Sequence, residues 1–205
     1  PALAPPVVQR GDAVTITVYG RGGHSAMPHN TIDPVVLASR IVLALQTIVS
    51  RENNPVDPVV ITVGAIQGGT QGNVIPDEVR LLLSVRTYSE GVRARTLAAI
   101  RRVVRGEAIA ATAPQEPRVD APEKANAMVY NDPAVTTRLV TALRRELGQA
   151  KVVEMPQKMT SEDFAEYGLA GVPSVLLHIG AVDAAALANS RESGIPLPAP
   201  HSSEW

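Results

Sequence analysis

The period at which apolar residues recur switches between two and about 3.6 in a set order between residues 12 and 121, and that order limits the fold more than any other feature. Asp12-Ala-Val-Thr-Ile-Thr-Val-Tyr19 alternates Val14, Ile16 and Val18 with Thr15 and Thr17, which predicts a half-buried strand ending at Gly20. A glycine-rich loop follows, and then Asp33-Pro34 supplies an N-cap and a first-turn proline. The helix they open carries Leu37, Ile41, Leu45 and Ile48 on one face and is predicted to reach Ser50. Val59 to Ile66 and Glu78 to Arg86 read as strands, separated by turn chemistry at Gly68-Gly69 and Gly72-Asn73. A second helix is predicted from near Ser89, with Val92, Leu97, Ile100 and Val104 turned inward. Its arginines, Arg93, Arg101, Arg102 and Arg105, are predicted to form a solvated outer face. A short strand between Gln115 and Ala121 closes the series. Strand, helix, strand, strand, helix, strand is the split βαβ order of a ferredoxin-like layer, so residues 11–120 are predicted to form one α+β module.

The remaining residues, 121–205, have a different rhythm. A proline-containing linker runs to Asn131, and Asp132-Pro133 caps a helix with Val135, Leu139, Leu143 and Leu147 on one face and Gly148 as its stop. Lys151 to Glu154 and Val172 to Ile179 read as strands, the second as a buried one that holds His178 in the core. Thr160-Ser-Glu-Asp163 matches a capping box for a brief helix through Tyr167, and a loop follows Gly180. Two helices and two strands make half of a layered domain, with apolar surface left uncovered. The expectation is therefore a fragment whose other half precedes Pro1, where neither a Met nor a signal-peptide profile stands.

Composition removes several classes of function. With 19 Lys plus Arg against 20 Asp plus Glu there is no general attraction for a polyanion, and six aromatic residues leave little to stack on bases, so nucleic acid is not an expected partner. With no Cys there is no disulfide framework, thiolate nucleophile or cysteine zinc site, which fits a reducing cytoplasm. The most apolar stretch, Ile41 to Val49, is shorter than the roughly 20 residues of a membrane span, so no membrane crossing is expected. The glycine clusters lack the lysine of a phosphate loop and the GxGxxG order, and no GxSxG elbow exists.

The candidate chemistry lies in histidines and in a few polar loop positions. His24 follows Gly22-Gly23, where bare backbone lets a ligand approach, so its imidazole is either an outward donor or ligand, or a loop side chain bonded to local backbone. His29, just before a helix, is read as capping or packing, and spacing alone leaves His201 open between ligand and solvent. Asn73 in Gly72-Asn-Val-Ile-Pro-Asp77 can occupy a left-handed turn position with its amide outward. Arg86 ends a strand, where a guanidinium can clamp a carboxylate or form a surface ion pair. Glu162 and Asp163 are acid/base candidates, although the capping box already accounts for Asp163.

Taken together, Gly20-Arg-Gly-Gly-His-Ser-Ala-Met-Pro-His29, Asp33-Pro34, Leu43 to Arg51, Gly72-Asn-Val-Ile-Pro-Asp77, Val85-Arg-Thr87, Ser161-Glu-Asp-Phe164 and Pro200-His-Ser202 resemble one family in its own order. It is the family of dinuclear metal-dependent amidohydrolases and exopeptidases, which includes hippurate hydrolases, aminoacylases, auxin-conjugate amidohydrolases and carboxypeptidase G2. The resemblance implies that residues 11–120 are a ferredoxin-like lid, or dimerisation domain, and that 121–205 are the C-terminal portion of an α/β catalytic domain. It implies hydrolysis of the amide bond of N-acyl amino acids or small peptides by metal-activated water, with two divalent ions, zinc, manganese or cobalt. By the same resemblance His24 is the catalytic lid residue that stabilises the oxyanion in a partner subunit's site. Asn73, Arg86 and Glu162 then bind substrate, and His201 is the single metal ligand. A homodimer through the lid is implied, and with one ligand the 205 residues are expected to be inactive alone. The competing reading is a non-catalytic, self-associating module with the same fold.

Overall fold

The computed structural model describes residues 7–8, 10–124, 129–154, 163–180 and 182–197. The chain divides into two compact units, Pro1–Val175 and Leu176–Trp205. The first opens with a short strand, β1 (Val7–Val8), and a long one, β2 (Arg10–Tyr19). After β3 (Gly23–His24) comes helix α1 (Pro34–Thr47), whose start is fixed by Asp33: its Oδ1 accepts the Val35 and Val36 N–H groups at 2.8 and 3.4 Å. The helix continues through a π-helical turn, Ile48–Glu52, two residues beyond the predicted end. Strands β4 (Val59–Gln67), β5 (Val74–Ile75) and β6 (Glu78–Thr87) follow. Helix α2 (Glu90–Ala110) is capped by Ser89, whose Oγ accepts the Val92 N–H, and β7 (Arg118–Asp120) ends the series.

The four longer strands, joined by three antiparallel pairings, form one sheet in the order β4-β6-β2-β7, the ferredoxin-like arrangement predicted for residues 11–120. Alternation decides which side chains meet the helices. Val14, Ile16 and Val18 of β2 and Val79, Leu81, Leu83 and Val85 of β6 are buried in one core with Leu37, Ile41, Leu45 and Ile48 of α1 and Leu97, Ile100 and Val104 of α2. The opposite face carries Ala13, Leu82 and Thr62, all exposed. A bulge at Gly64 shifts the β4 register between Val63 and Ala65. Pro34–Glu52 is, among the described residues, the one helix whose length and composition would suit a bilayer. Leu37, Ile41, Leu45 and Ile48 are at most 3% exposed, so this apolarity is used inside the sheet–helix core.

One arginine departs from the expected outer face. Arg101, Arg102 and Arg105 are exposed, but Arg93 is buried. The reason lies on β2: Asp12 falls on the helix side of the sheet, in phase with Val14 and Ile16, and a carboxylate buried there needs a partner. Arg93 donates through Nε and Nη2 to both Asp12 oxygens at 2.8–3.0 Å, through Nη1 to Glu90 at 3.0 Å, and through Nη2 to the Pro122 carbonyl at 2.6 Å. The Asp12 hydrogen bond is the main cause that raises its pKa above the ordinary arginine value. The node ties the start of β2, the first turn of α2 and the chain leaving β7.

Strand β8 (Val129–Tyr130) pairs antiparallel with β1, so the segments before and after the ferredoxin-like layer run side by side. Helix α3 (Pro133–Leu147) starts where predicted, with Asp132 Oδ1 accepting the Val135 N–H, and stops at Gly148, whose φ is +86°. Other expectations fail. Val152–Glu154 follow a 3-10 turn, Gln149–Lys151, and form no strand. Helix α4 (Ala165–Leu169) begins after Phe164 with no side-chain cap, and Thr160, Ser161 and Glu162 of the expected box lie outside the described residues. Residues 172–180 form no strand and are largely exposed, Ile179 at 91%, although the Ser174 carbonyl accepts the Asp132 N–H at 2.9 Å. His178 is accordingly exposed instead of buried in a core. In the second unit Ala184–Ser193 forms helix α5 where a loop was expected, because Asp183 caps an alanine-rich run and Gly194 ends it at φ +71°.

Candidate functional site

The loop after β2 does not wander. It runs back against residues 73–77 as an irregular ladder. Gly20 N–H donates to the Asp77 carbonyl at 2.7 Å, β3 pairs antiparallel with β5 so that Gly23 faces Ile75 and His24 faces Val74, and Ser25 N–H donates to the Asn73 carbonyl at 3.0 Å. On its other side Arg21 and Ile32 exchange two backbone hydrogen bonds of 2.9 Å. The glycines are required by contact: a Cβ on Gly22 would lie 2.5 Å from the Ile75 oxygen, and one on Gly20 would lie 2.4 Å from the Ile32 oxygen. A 3-10 turn, Pro28–Asn30, then leads to α1.

This ladder brings His24 and Asn73 together. His24 is exposed, and its Nδ1 accepts the Ala26 N–H at 3.1 Å, so in the neutral ring the proton sits on Nε2. Nε2 has no hydrogen-bond partner among the described residues and is left as a free donor. Asn73 is exposed too, beside the residue that pairs with His24. The turn that carries it needs no left-handed residue at Gly72 or Asn73, unlike the expectation; the positive φ nearby is at Gly69, +73°.

Arg86 lies elsewhere. It is half-buried near the end of β6, with Gly11 of β2 and Val60 of β4 on either side, and its Nη1 is buried without a hydrogen-bond partner among the described residues. At roughly 3.3 Å per residue, about 26 Å of strand separates it from Glu78, the residue after the His24–Asn73 ladder. Arg86 therefore sits at the end of the layer where the chain enters and leaves, and His24 and Asn73 sit at the opposite end. Glu162 and His201 lie outside the described residues. His29 is exposed inside the 3-10 turn and caps no helix; Asp33 does that. Among the described residues no group of three His, Asp or Glu side chains is placed to hold a metal.

Sequence reasoning passed over Asp77, which accepts from Gly20 through its carbonyl and from Gly22 through Oδ1 at 2.8 Å. Its only trace in the sequence is an acidic residue after Val-Ile-Pro, and that trace acquires meaning only once residues 20–25 are known to pair with 73–77.

Residues 12–112 match the peptidase dimerisation domain of the M20 family. The chain is 37% identical over 165 residues to an N-acetyldiaminopimelate deacetylase of Anoxybacillus flavithermus, covering 80% of this chain and 42% of that protein. It is 31% identical over 175 residues to thermostable carboxypeptidase 2 of Saccharolobus solfataricus, covering 85% and 43%. Among solved structures it is similar to a dinuclear metal-binding peptidase of the M20 family from Bacillus subtilis, with TM-score 0.59 and 25% identity over 84% of this chain and 41% of that one. The chain thus spans about two-fifths of the length of the curated relatives it matches. With the ferredoxin-like layer, its glycine-bounded His24 loop and these matches in hand, residues 12–112 belong to the family of M20 peptidase dimerisation domains.

Proposed function

We propose that the protein carrying this sequence is a metal-dependent amidohydrolase that cleaves the amide bond of N-acyl amino acids or small peptides, and that residues 11–120 serve it as a lid. The observation that carries this reading is His24: the Ala26 N–H occupies Nδ1, which leaves the proton of the neutral ring on Nε2 as a free donor in an exposed loop. A donor held in that way can bind the oxygen of an amide as it gains negative charge, an interaction stronger in the transition state than in the substrate. Asn73, whose carbonyl accepts the Ser25 N–H next to His24, is read by family resemblance as holding the same amide group. A module that only self-associated would have no use for a donor fixed in this orientation.

The separation within one lid shapes the rest of the proposal. His24 and Asn73 lie about a strand length from Arg86, too far to grip one small substrate from a single lid. In a homodimer the far end of one lid can meet the near end of the other. His24 and Asn73 then act in the partner's site, and Arg86, with its unpaired Nη1, binds a substrate carboxylate in its own subunit. The exposed edge of β4 and the outward Val36 and Leu43 of α1, 58% and 72% exposed, suit such a lid-to-lid dimer. Glu162 as a cleft residue and His201 as a metal ligand belong to the same reading, as do residues 121–205 as part of the catalytic domain and a cytoplasmic location. The described residues assemble no metal site of their own, so the dependence on two divalent ions rests on the likeness to the M20 peptidases.

The direct test is amino-acid release from N-acetyl and N-benzoyl amino acids and from N-acetyldiaminopimelate by the whole protein that carries this sequence, loaded with zinc, manganese or cobalt, since the 205 residues by themselves are expected to be inactive. Chelator-sensitive release from at least one substrate is expected. Absence of release across the panel from metal-loaded protein overturns the proposal.

A further inference from the structure

The ladder that presents His24 has a gap, and one side chain closes it. Along residues 20–25 the backbone partners on the opposite segment are the Asp77 carbonyl for Gly20, the paired Ile75 and Val74 for Gly23 and His24, and the Asn73 carbonyl for Ser25. Between the first and the next of these, Arg21 turns the other way to pair with Ile32. That leaves the Gly22 N–H facing residues 73–77 with no carbonyl to receive it. Asp77 Oδ1 accepts it at 2.8 Å. One residue thus supplies two successive rungs, its carbonyl to Gly20 and its carboxylate to Gly22, on either side of the point where the chain would otherwise peel off.

We propose that Asp77 is the positioning residue for His24: it pins the Gly22-Gly23 backbone and so fixes where the imidazole, held through Nδ1 by the Ala26 N–H, presents its free Nε2–H. This rests on the reading of His24 as an oxyanion donor. The fit is tight, since a Cβ on Gly22 would lie 3.0 Å from the Asp77 Oδ1 as well as 2.5 Å from the Ile75 oxygen. Without the carboxylate rung Gly22 has no bond of its own to residues 73–77 and is held only through its neighbours, the Gly20 bond and the Arg21–Ile32 pair on one side and the short β3–β5 pair on the other. A donor displaced by about 1 Å can lose a large part of its effect, up to roughly 100-fold in rate. What matters is an acceptor at this place. The charge is secondary, so the amide oxygen of asparagine should serve nearly as well.

The experiment compares Asp77→Ala, Asp77→Asn and His24→Ala, singly and with Asp77→Ala combined with His24→Ala, in the metal-loaded protein, and reads amide exchange at Gly22 and Ser25 by NMR in the metal-free chain. Asp77→Ala is expected to lower kcat roughly 10- to 100-fold with KM little changed. It should also speed exchange at Gly22 and Ser25 about 10-fold or more. Asp77→Asn should restore most of the rate and the protection, and Asp77→Ala should cost nothing further once His24 is gone, because it acts through that ring. Full activity in Asp77→Ala, a further loss in the double variant, or an asparagine variant as poor as alanine each overturns the proposal. If His24→Ala itself leaves turnover intact, it is the oxyanion reading that fails. Exchange then decides on Asp77 alone, with unchanged Gly22 and Ser25 amides overturning it.

Discussion

Helices α1 and α3 start with the same two residues and carry the same pattern, yet their surroundings differ. Asp33-Pro34 and Asp132-Pro133 cap them in the same way, and Leu37, Ile41, Leu45 and Ile48 in one correspond to Val135, Leu139, Leu143 and Leu147 in the other. In α1 and its continuation that face is at most 3% exposed, closed by the sheet and α2. In α3 the matching residues are half-buried, Leu147 is 52% exposed, and the only buried residue of the helix is Thr136. An amphipathic stripe states a demand for a partner, and the local sequence cannot say how completely the demand is met. Local capping forms the helix; burial decides what it is worth.

The largest effect should come from the node that has no counterpart in α3. Arg93→Ala leaves Asp12 buried and uncompensated and is expected to destabilise the layer by about 3–5 kcal/mol. Arg145→Ala, at an exposed pair with Glu146 in α3, should cost at most about 0.5 kcal/mol. Urea unfolding of the two variants measures both, and equal losses would mean that the Asp12–Arg93 node does not anchor the layer. Next comes the core itself: Ile41→Ala should cost about 2–5 kcal/mol, and Leu139→Ala only about 1 kcal/mol, since a half-buried side chain leaves a smaller cavity behind. A loss at Leu139 as large as that at Ile41 would show α3 covered more fully than the described residues cover it. The smallest difference is expected at the caps. Asp33→Ala and Asp132→Ala should each cost about 1 kcal/mol, and a clear inequality would mean that more than burial separates the helices.

The same contrast explains what could be read from the residues alone. The ferredoxin-like layer was legible because β2 alternates, β4 and β6 are apolar runs bounded by turn residues, and both helices are capped, so local pattern and final burial agree. Arg93 was misread because a helix wheel knows nothing of Asp12, 81 residues away in sequence, lying on the inner face of the sheet. Val172 to Ile179 was misread because a mostly apolar run is equally the mark of a buried strand and of an exposed irregular segment. At the candidate site, His24 and Asn73 could be picked out by their glycine-rich settings, but their adjacency depends on the β3–β5 pairing. That pairing is two residues long and too short to leave a period. The role of Asp77 is a property of the same ladder and was invisible without it. Arg86 stood out as a strand-end guanidinium, and only the strand direction places it at the opposite end from His24.

The central claim is that the lid presents His24 as a working part of an amide-hydrolysing site. It is tested most directly by measuring kcat for His24→Ala in the metal-loaded protein on whichever N-acyl amino acid it cleaves. A loss of about 100- to 1,000-fold with dimerisation intact is the expected result. Turnover equal to that of the unmodified protein would contradict the claim.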